Sequence, residues 1–152
     1  MKYFMKSINK TFAFTSIAIT LTVLYAFTYQ SIEPWTKEQL IEPKKLAEII
    51  NDSSAIKPII CSIGPGASIK GSIDIGATQE KAKLDFFRST LLKVNTSKSI
   101  VIYCGCCPLN HCPNIRPAFQ LLNELKFTNH RLLNLPNNLK TDWIDKGFPV
   151  NE

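Results

Sequence analysis

Internal repeats and low-complexity tracts are absent from this chain of 152 residues, which excludes a repeat protein and a compositionally biased one. Acidic residues are missing from the first thirty positions, which carry three lysines. Outside that segment the chain has fifteen basic and twelve acidic residues. This surplus of positive charge is scattered and too small to indicate a nucleic-acid partner. Histidine is scarce. The loop residue His111 is expected to be solvated, and His130 to gain only from the end of a preceding helix.

The first thirty residues differ in kind from the rest of the chain. Three lysines, Lys2, Lys6 and Lys10, precede an uncharged apolar run over residues 11–29. Such a pattern is typical of a signal peptide or an N-terminal membrane anchor over residues 1–30. The run has nineteen residues, enough to span a bilayer as a helix, and no clear cleavage site follows, so we slightly favour the anchor. The positive-inside rule then predicts that the rest of the protein is exported, to the periplasm or another extracytoplasmic side of the membrane.

The remaining residues are enough for one domain and too few for two. Prolines at positions 34 and 43 indicate a linker over residues 31–42, and residues 43–150 form the predicted domain, in which helical spacing alternates with short apolar runs. Helices are predicted over 43–51, 80–92 and 116–127, and strands over 58–63, 99–103 and 131–135. Residues 69–76 are predicted to be a short strand or an extended loop, and a last helical turn ends at Gly147. This order predicts an α/β fold, a small parallel sheet covered by helices on both faces and preceded by an N-terminal hydrophobic helix.

Four of the five cysteines fall within nine residues, between the predicted strand 99–103 and the predicted helix 116–127. They are Cys104, Cys106, Cys107 and Cys112. In open α/β sheets ligands bind at the carboxyl ends of the strands, and a helix that begins there directs free N–H groups and its positive end at the loop. Such surroundings lower the pKa of a thiol and make it a nucleophile or a metal ligand. We therefore predict the functional site in this loop, and expect the fifth cysteine, Cys61, to be buried within a strand.

Several strings of the chain are similar to one known family. The run Ile100–Cys104 looks like the strand that ends in that family's active-site cysteine. The segment Asp142–Val150 resembles its closing tryptophan and glycine-aromatic-proline pattern, and Gly71–Ile73 lies where the family has glycine-histidine-isoleucine. The predicted domain thus resembles a rhodanese-like sulfurtransferase domain, with a longer loop that carries three additional cysteines. The resemblance implies that Cys104 is a nucleophile that holds sulfane sulfur as a persulfide, and that Arg116 is the cation that neutralises the anion.

Three hypotheses stay open for the cysteine loop. In the first, Cys104 takes sulfur from a small donor and passes it to a thiol acceptor without a cofactor, and Cys106, Cys107 or Cys112 is a resolving thiol that a redox partner protein recharges. In the second, the loop binds copper or zinc through Cys104, Cys106, Cys107, His111 and Cys112. Adjacent cysteines rarely turn toward one ion, which favours copper(I), an ion that accepts two or three thiolates. In the third, a disulfide braces the loop of a non-catalytic interaction module.

Overall fold

The structure of the protein is a computed structural model that describes residues 33–151, so the predicted targeting segment over residues 1–30 lies outside the described part. The strands are β1 Leu40–Ile41, β2 Ile59–Ser62, β3 Ile73–Asp74, β4 Ile100–Tyr103 and β5 His130–Leu133. The helices are α1 Pro43–Asn51, α2 Lys81–Leu91, α3 Ile115–Glu124 and α4 Leu139–Asp142, with 3-10 helices at Lys37–Gln39, Leu109–His111 and Ile144–Lys146. The five strands form one sheet in the order β1-β5-β4-β2-β3, and all its pairs are parallel. No helix within residues 33–151 is long and apolar enough to cross a membrane.

The central strand β4 is buried along its whole length because helices cover both faces of the sheet. Its side chains point alternately into two hydrophobic cores. Ile102 faces a core that contains Phe87 of α2 and Phe119 of α3. Val101 faces a second core that contains Leu46 of α1. The predicted α/β fold with a small parallel sheet is therefore confirmed.

Helix α3 begins at the end of the cysteine loop and covers one face of the sheet. Ile115, Phe119 and Leu122 recur at helical spacing and are buried, so one stripe of the helix packs on the core. The helix ends at Glu124, three residues before its predicted end. The cause is Lys126, whose φ of 62° is left-handed and cannot continue a right-handed helix.

The structure corrects the predicted linker over residues 31–42. Its described part, from Glu33 onward, belongs to the compact domain. Lys37–Gln39 forms a 3-10 helix, and β1 pairs with β5 at the edge of the sheet. The Trp35 ring packs edge-on against the Phe119 ring of α3, with 5.7 Å between ring centroids. Two paired residues are too short a strand to show a period in sequence, so the pattern could not reveal β1.

The closing segment of the chain folds back on itself around one tryptophan. Trp143 is fully buried, its indole Nε1 donates to the Pro149 carbonyl oxygen at 2.9 Å, and its ring packs edge-on against Phe148. The 3-10 helix Ile144–Lys146 follows Trp143 and ends at Gly147, which has a φ of 69°. The predicted helical turn with a glycine at its end is confirmed, because a left-handed residue is easily supplied by glycine.

Candidate functional site

Cys104 directly follows β4, so its thiol lies at the carboxyl edge of the parallel sheet. The loop after it is tied to the segment that follows β5. The Leu109 N–H donates to the Leu135 carbonyl oxygen at 3.1 Å, and the Leu139 N–H donates to the Gly105 carbonyl oxygen at 3.1 Å. These bonds hold the loop across the carboxyl ends of the central strands.

The four loop cysteines converge on one point. Their sulfur atoms all lie within 4.8 Å of one another. Cys106 Sγ is 3.4 Å from Cys104 Sγ and 3.2 Å from Cys107 Sγ. Cys104 and Cys112 are buried, Cys107 is half-buried and Cys106 is exposed, and all are free thiols, so the cluster extends from the core to the surface. The exposed His111, a predicted ligand, does not belong to this group.

Asn114, the residue before α3, holds the sulfur of Cys104 from the helix side. Its side chain is buried, and its amide Nδ2 donates to Cys104 Sγ at 3.5 Å. Its Oδ1 accepts from the Gln79 backbone N–H at 3.1 Å, and its carbonyl oxygen accepts from the Thr78 hydroxyl at 2.7 Å. Sequence reasoning missed this residue. An asparagine before a helix is ordinarily assigned as an N-cap, but here the side chain makes no capping bond and binds the thiol instead.

Gly64 gives the Cys104 sulfur the space it occupies. A Cβ atom at Gly64 would lie 2.5 Å from Cys104 Sγ, far inside van der Waals contact. The two residues are brought together because β2 and β4 are neighbours in the sheet, with Ser62 opposite Tyr103. Sequence reasoning did not place Gly64 in the site. A glycine directly after the predicted strand 58–63 is the sequence signal of such a close approach.

The Cys104 thiol is held as an anion by its neighbours, and its pKa is lowered to about 5. The largest cause is the hydrogen bond that the Cys112 thiol donates to its sulfur. Burial opposes the shift, whereas the backbone N–H of Cys106, the Asn114 amide and the Cys106 thiol favour it. The thiolate therefore depends on donors from its own loop and from the start of α3.

Cys106 and Cys112 keep their protons because burial and the neighbouring Cys104 sulfur raise their pKa values. Burial and hydrogen bonds with Cys107 and Cys104 raise the pKa of Cys106 to about 12. The pKa of Cys112 is raised well above its usual range, chiefly by the bond to Cys104 and then by burial. Cys61 is buried in β2, as predicted, and burial alone raises its pKa to about 12. It is therefore an inert core residue, unlike the four clustered thiols.

The structure gives Arg116 partners away from the thiols. Its guanidinium lies 2.6 Å from Glu33 Oε1 and donates to the Asn110 carbonyl oxygen at 3.1 Å. It also lies over the Trp35 ring, 5.8 Å from the centroid. Arg116 thus fastens the first described residues to the cysteine loop and α3. Its expected role at the Cys104 anion stays a prediction.

No known protein-family model matches the chain, and no curated protein matches it. Its fold is similar to a solved structure of a cysteine-to-serine variant of EanB in complex with hercynine. The TM-score is 0.54 and the sequence identity is 16%. The match covers 75% of this chain and only 27% of the EanB chain. At this identity the likeness concerns the fold alone.

Proposed function

We propose that residues 33–151 form a rhodanese-like domain in which Cys104 carries sulfane sulfur as a persulfide. The observation that carries this proposal is the position of Cys104 Sγ. It lies at the carboxyl end of the central strand, beside Asn114 Nδ2 and the Cys106 sulfur, at the start of α3. Donors gathered at a helix N-terminus stabilise a sulfur anion, whether thiolate or persulfide. The order of helices and strands and the resemblance of the loop and closing segment support the same reading.

The proposed transfer conserves atoms and needs no external oxidant. The Cys104 thiolate attacks the sulfane sulfur of a small donor, the sulfur–sulfur bond of the donor breaks, and its remaining part leaves as an anion. The transferred sulfur stays on Cys104 as a persulfide until the thiolate of an acceptor attacks it and restores the Cys104 thiolate. Cys104 is only 2% exposed, so a small donor is expected, with the rim residues Cys106 and Cys107 moving aside to admit it.

Cys106 is the thiol best positioned to resolve the persulfide. It is exposed, and its sulfur lies 3.4 Å from Cys104 Sγ, whereas Cys112 is fully buried. When the Cys106 sulfur attacks the inner sulfur of the persulfide, hydrosulfide leaves and a Cys104–Cys106 disulfide forms. Two electrons from a dithiol of a redox partner protein then return both thiols. The exposed Cys106 is the sulfur that such a partner can reach.

The proposed location rests on the sequence of residues 1–30. The lysines and the apolar run favour export, with the domain held at the extracytoplasmic face by residues 11–29. That compartment is oxidising, so free thiols there need a reductant or another form of protection.

Intact mass spectrometry of the reduced, metal-free full-length protein tests the proposed function. After brief exposure to thiosulfate or a low-molecular-weight persulfide and an acid quench, the wild-type chain should gain the mass of one sulfur atom, before Cys106 resolves the persulfide. Cys104→Ser should gain none, because serine cannot form a persulfide. The matched control Cys61→Ser replaces another buried cysteine and should gain sulfur as the wild type does. An equal gain in Cys104→Ser would refute the assignment.

A further inference from the structure

The spacing of the four loop sulfurs fits the ligand shell of a single metal ion. A tetrahedral zinc ion with zinc–sulfur bonds of about 2.3 Å holds its four sulfurs about 3.8 Å apart. In this structure Cys106 Sγ lies 3.4 Å from Cys104 Sγ and 3.2 Å from Cys107 Sγ, and no pair in the cluster exceeds 4.8 Å. Shifts of a few tenths of an ångström up to about one ångström in side-chain position bring all four to tetrahedral spacing.

We propose that Cys104, Cys106, Cys107 and Cys112 form a site for one thiophilic d¹⁰ cation, in which zinc(II) is bound by all four thiolates or copper(I) by two or three of them. Both ions accept thiolates without a fixed d-electron geometry, and four converging sulfurs are the donor set of a tetrahedral zinc site. This inference goes beyond the proposed function, because it concerns what the same sulfurs bind when no sulfur donor is present.

Adjacent Cys106 and Cys107 both turn toward the cluster, which the sequence pattern made improbable. Their sulfurs are 3.2 Å apart, and Cys106 Sγ also lies next to Cys104 Sγ. Adjacent cysteines rarely turn toward one point, but the sulfurs of these two do. With four sulfurs in reach, His111 is not required as a ligand.

Two sulfurs of the cluster are buried and held by the fold, and the other two lie closer to the surface. This arrangement allows an ion to enter from solvent. Cys104 is fixed by β4, and the backbone N–H of Cys112 donates to the Leu109 carbonyl oxygen at 3.4 Å at the end of a 3-10 helix. These two buried sulfurs form a preformed half-site. The exposed Cys106 and half-buried Cys107 form the rim through which an ion enters. The remaining thiol protons of the cluster, that of the buried Cys112 included, leave to solvent as the ion binds.

Asn114 supplies the outer contact that such a site needs. Its Nδ2 donates to Cys104 Sγ at 3.5 Å while Gln79 and Thr78 hold the residue in place. Donors of this kind orient metal ligands and disperse the negative charge of a tetrathiolate. The same bond therefore serves either occupant of Cys104, a metal ion or a transferred sulfur atom.

Metal titration of the reduced, metal-free full-length protein tests the inference. Separate arms add zinc(II) aerobically and copper(I) under anaerobic conditions, followed by dialysis and elemental analysis. We expect one ion per chain, and the two arms identify which ion is held. Cobalt(II) in place of zinc should give the intense sulfur-to-metal charge-transfer and visible bands of a tetrahedral thiolate site. A chain that retains neither zinc nor copper would overturn the proposal.

Single substitutions assign the site to these four sulfurs. Cys107→Ser and Cys112→Ser should each weaken metal binding by more than about tenfold. About tenfold is the lower end of the loss seen when a residue that only hydrogen-bonds to a metal ligand is removed, and removal of a ligand itself should cost more. Cys107 is at the rim, so its substitution leaves the core packing intact if Cys112→Ser fails to fold. Cys61→Ser and His111→Ala are controls that should bind metal as the wild type does. Undiminished zinc binding by Cys107→Ser would exclude the tetrathiolate site, and sulfur uptake by the metal-free protein would still stand on its own.

Discussion

The chemistry of the loop arises from four thiols that behave as a unit around one sulfur. Cys104 carries the negative charge, and Cys112, Cys106 and Asn114 donate to it. A thiol with no such neighbours, Cys61, has its pKa shifted the other way by burial alone. The contrast shows that burial does not make a cysteine reactive. The donors around it decide which form of the thiol is stable.

Gly64 and Gly66 lie in the same turn after β2. Alanine substitutions at these two positions therefore distinguish an effect on the space around Cys104 from an effect on the stability of the turn. Gly64→Ala should destabilise the fold by about 1–3 kcal/mol and slow sulfur uptake, because the new Cβ would lie 2.5 Å from Cys104 Sγ and displace it. Gly66→Ala should cost about 1–2 kcal/mol from its φ of +80°, with no atom within 4 Å of the new Cβ. Urea unfolding and the rate of sulfur gain by intact mass measure the two effects. Wild-type uptake by Gly64→Ala would contradict this prediction.

The elements that carry their own hydrophobic pattern were predictable, and those defined by a distant partner were not. β4 is a continuous apolar run, and α3 repeats Ile115, Phe119 and Leu122 at helical spacing, so local sequence suffices for both. β1 is a strand only because it pairs with β5, and a local pattern of two residues cannot indicate that pairing. The loop was predicted as the site from its cysteines, but the contact of Cys104 with Gly64 follows from the β2–β4 pairing and needed the fold.

His130 at the start of β5 also differs from its sequence-based expectation. Its Nδ1 lies 3.0 Å from the Phe127 carbonyl oxygen and its ring packs on Phe119 with 4.7 Å between centroids. The end of a helix would favour the charged ring, but burial outweighs the Phe127 hydrogen bond and lowers the pKa below its usual 6.5. The neutral ring is therefore a structural part of this corner of the core.

The lowered pKa of His130 predicts a loss of stability in mild acid. Below pH 6.5 the unfolded chain takes up a proton at this residue while the folded chain does not, so the unfolded state binds more protons. The contribution is complete above pH 6.5 and declines as the pH falls below it toward the lower pKa of the folded state. Urea unfolding between about pH 7.5 and about pH 5 should show a steeper loss in wild type than in His130→Gln, which cannot titrate there. Parallel pH profiles for the two proteins would refute this cause.

For the whole molecule, the parallel sheet places every strand's carboxyl end on one edge, and the cysteine loop lies there between β4 and α3. The sheet supplies Cys104, the turn after β2 supplies the space of Gly64, and the start of α3 supplies Asn114. The turn after β2 and the segment from β4 to α3, which are distant in sequence, thus define one sulfur position. The surrounding fold is rigidly packed on both faces, so the rim of the loop is the part that must move for any ligand to reach Cys104.

Both proposed occupants of the loop bind to the Cys104 sulfur, so they should compete with each other. Zinc added below one equivalent should suppress the sulfur gain of the full-length protein in proportion to the fraction of chains loaded, and a chelator should restore it. Intact mass under denaturing conditions, with elemental analysis of the same samples, measures both occupants. In Cys112→Ser, which should lose the metal, added zinc should leave sulfur uptake at that variant's own metal-free level. Full sulfur uptake by zinc-loaded protein that keeps its zinc would show that the metal-binding thiolates do not include Cys104, because coordination to the ion lowers the charge and the nucleophilicity of a thiolate and blocks the approach of a donor.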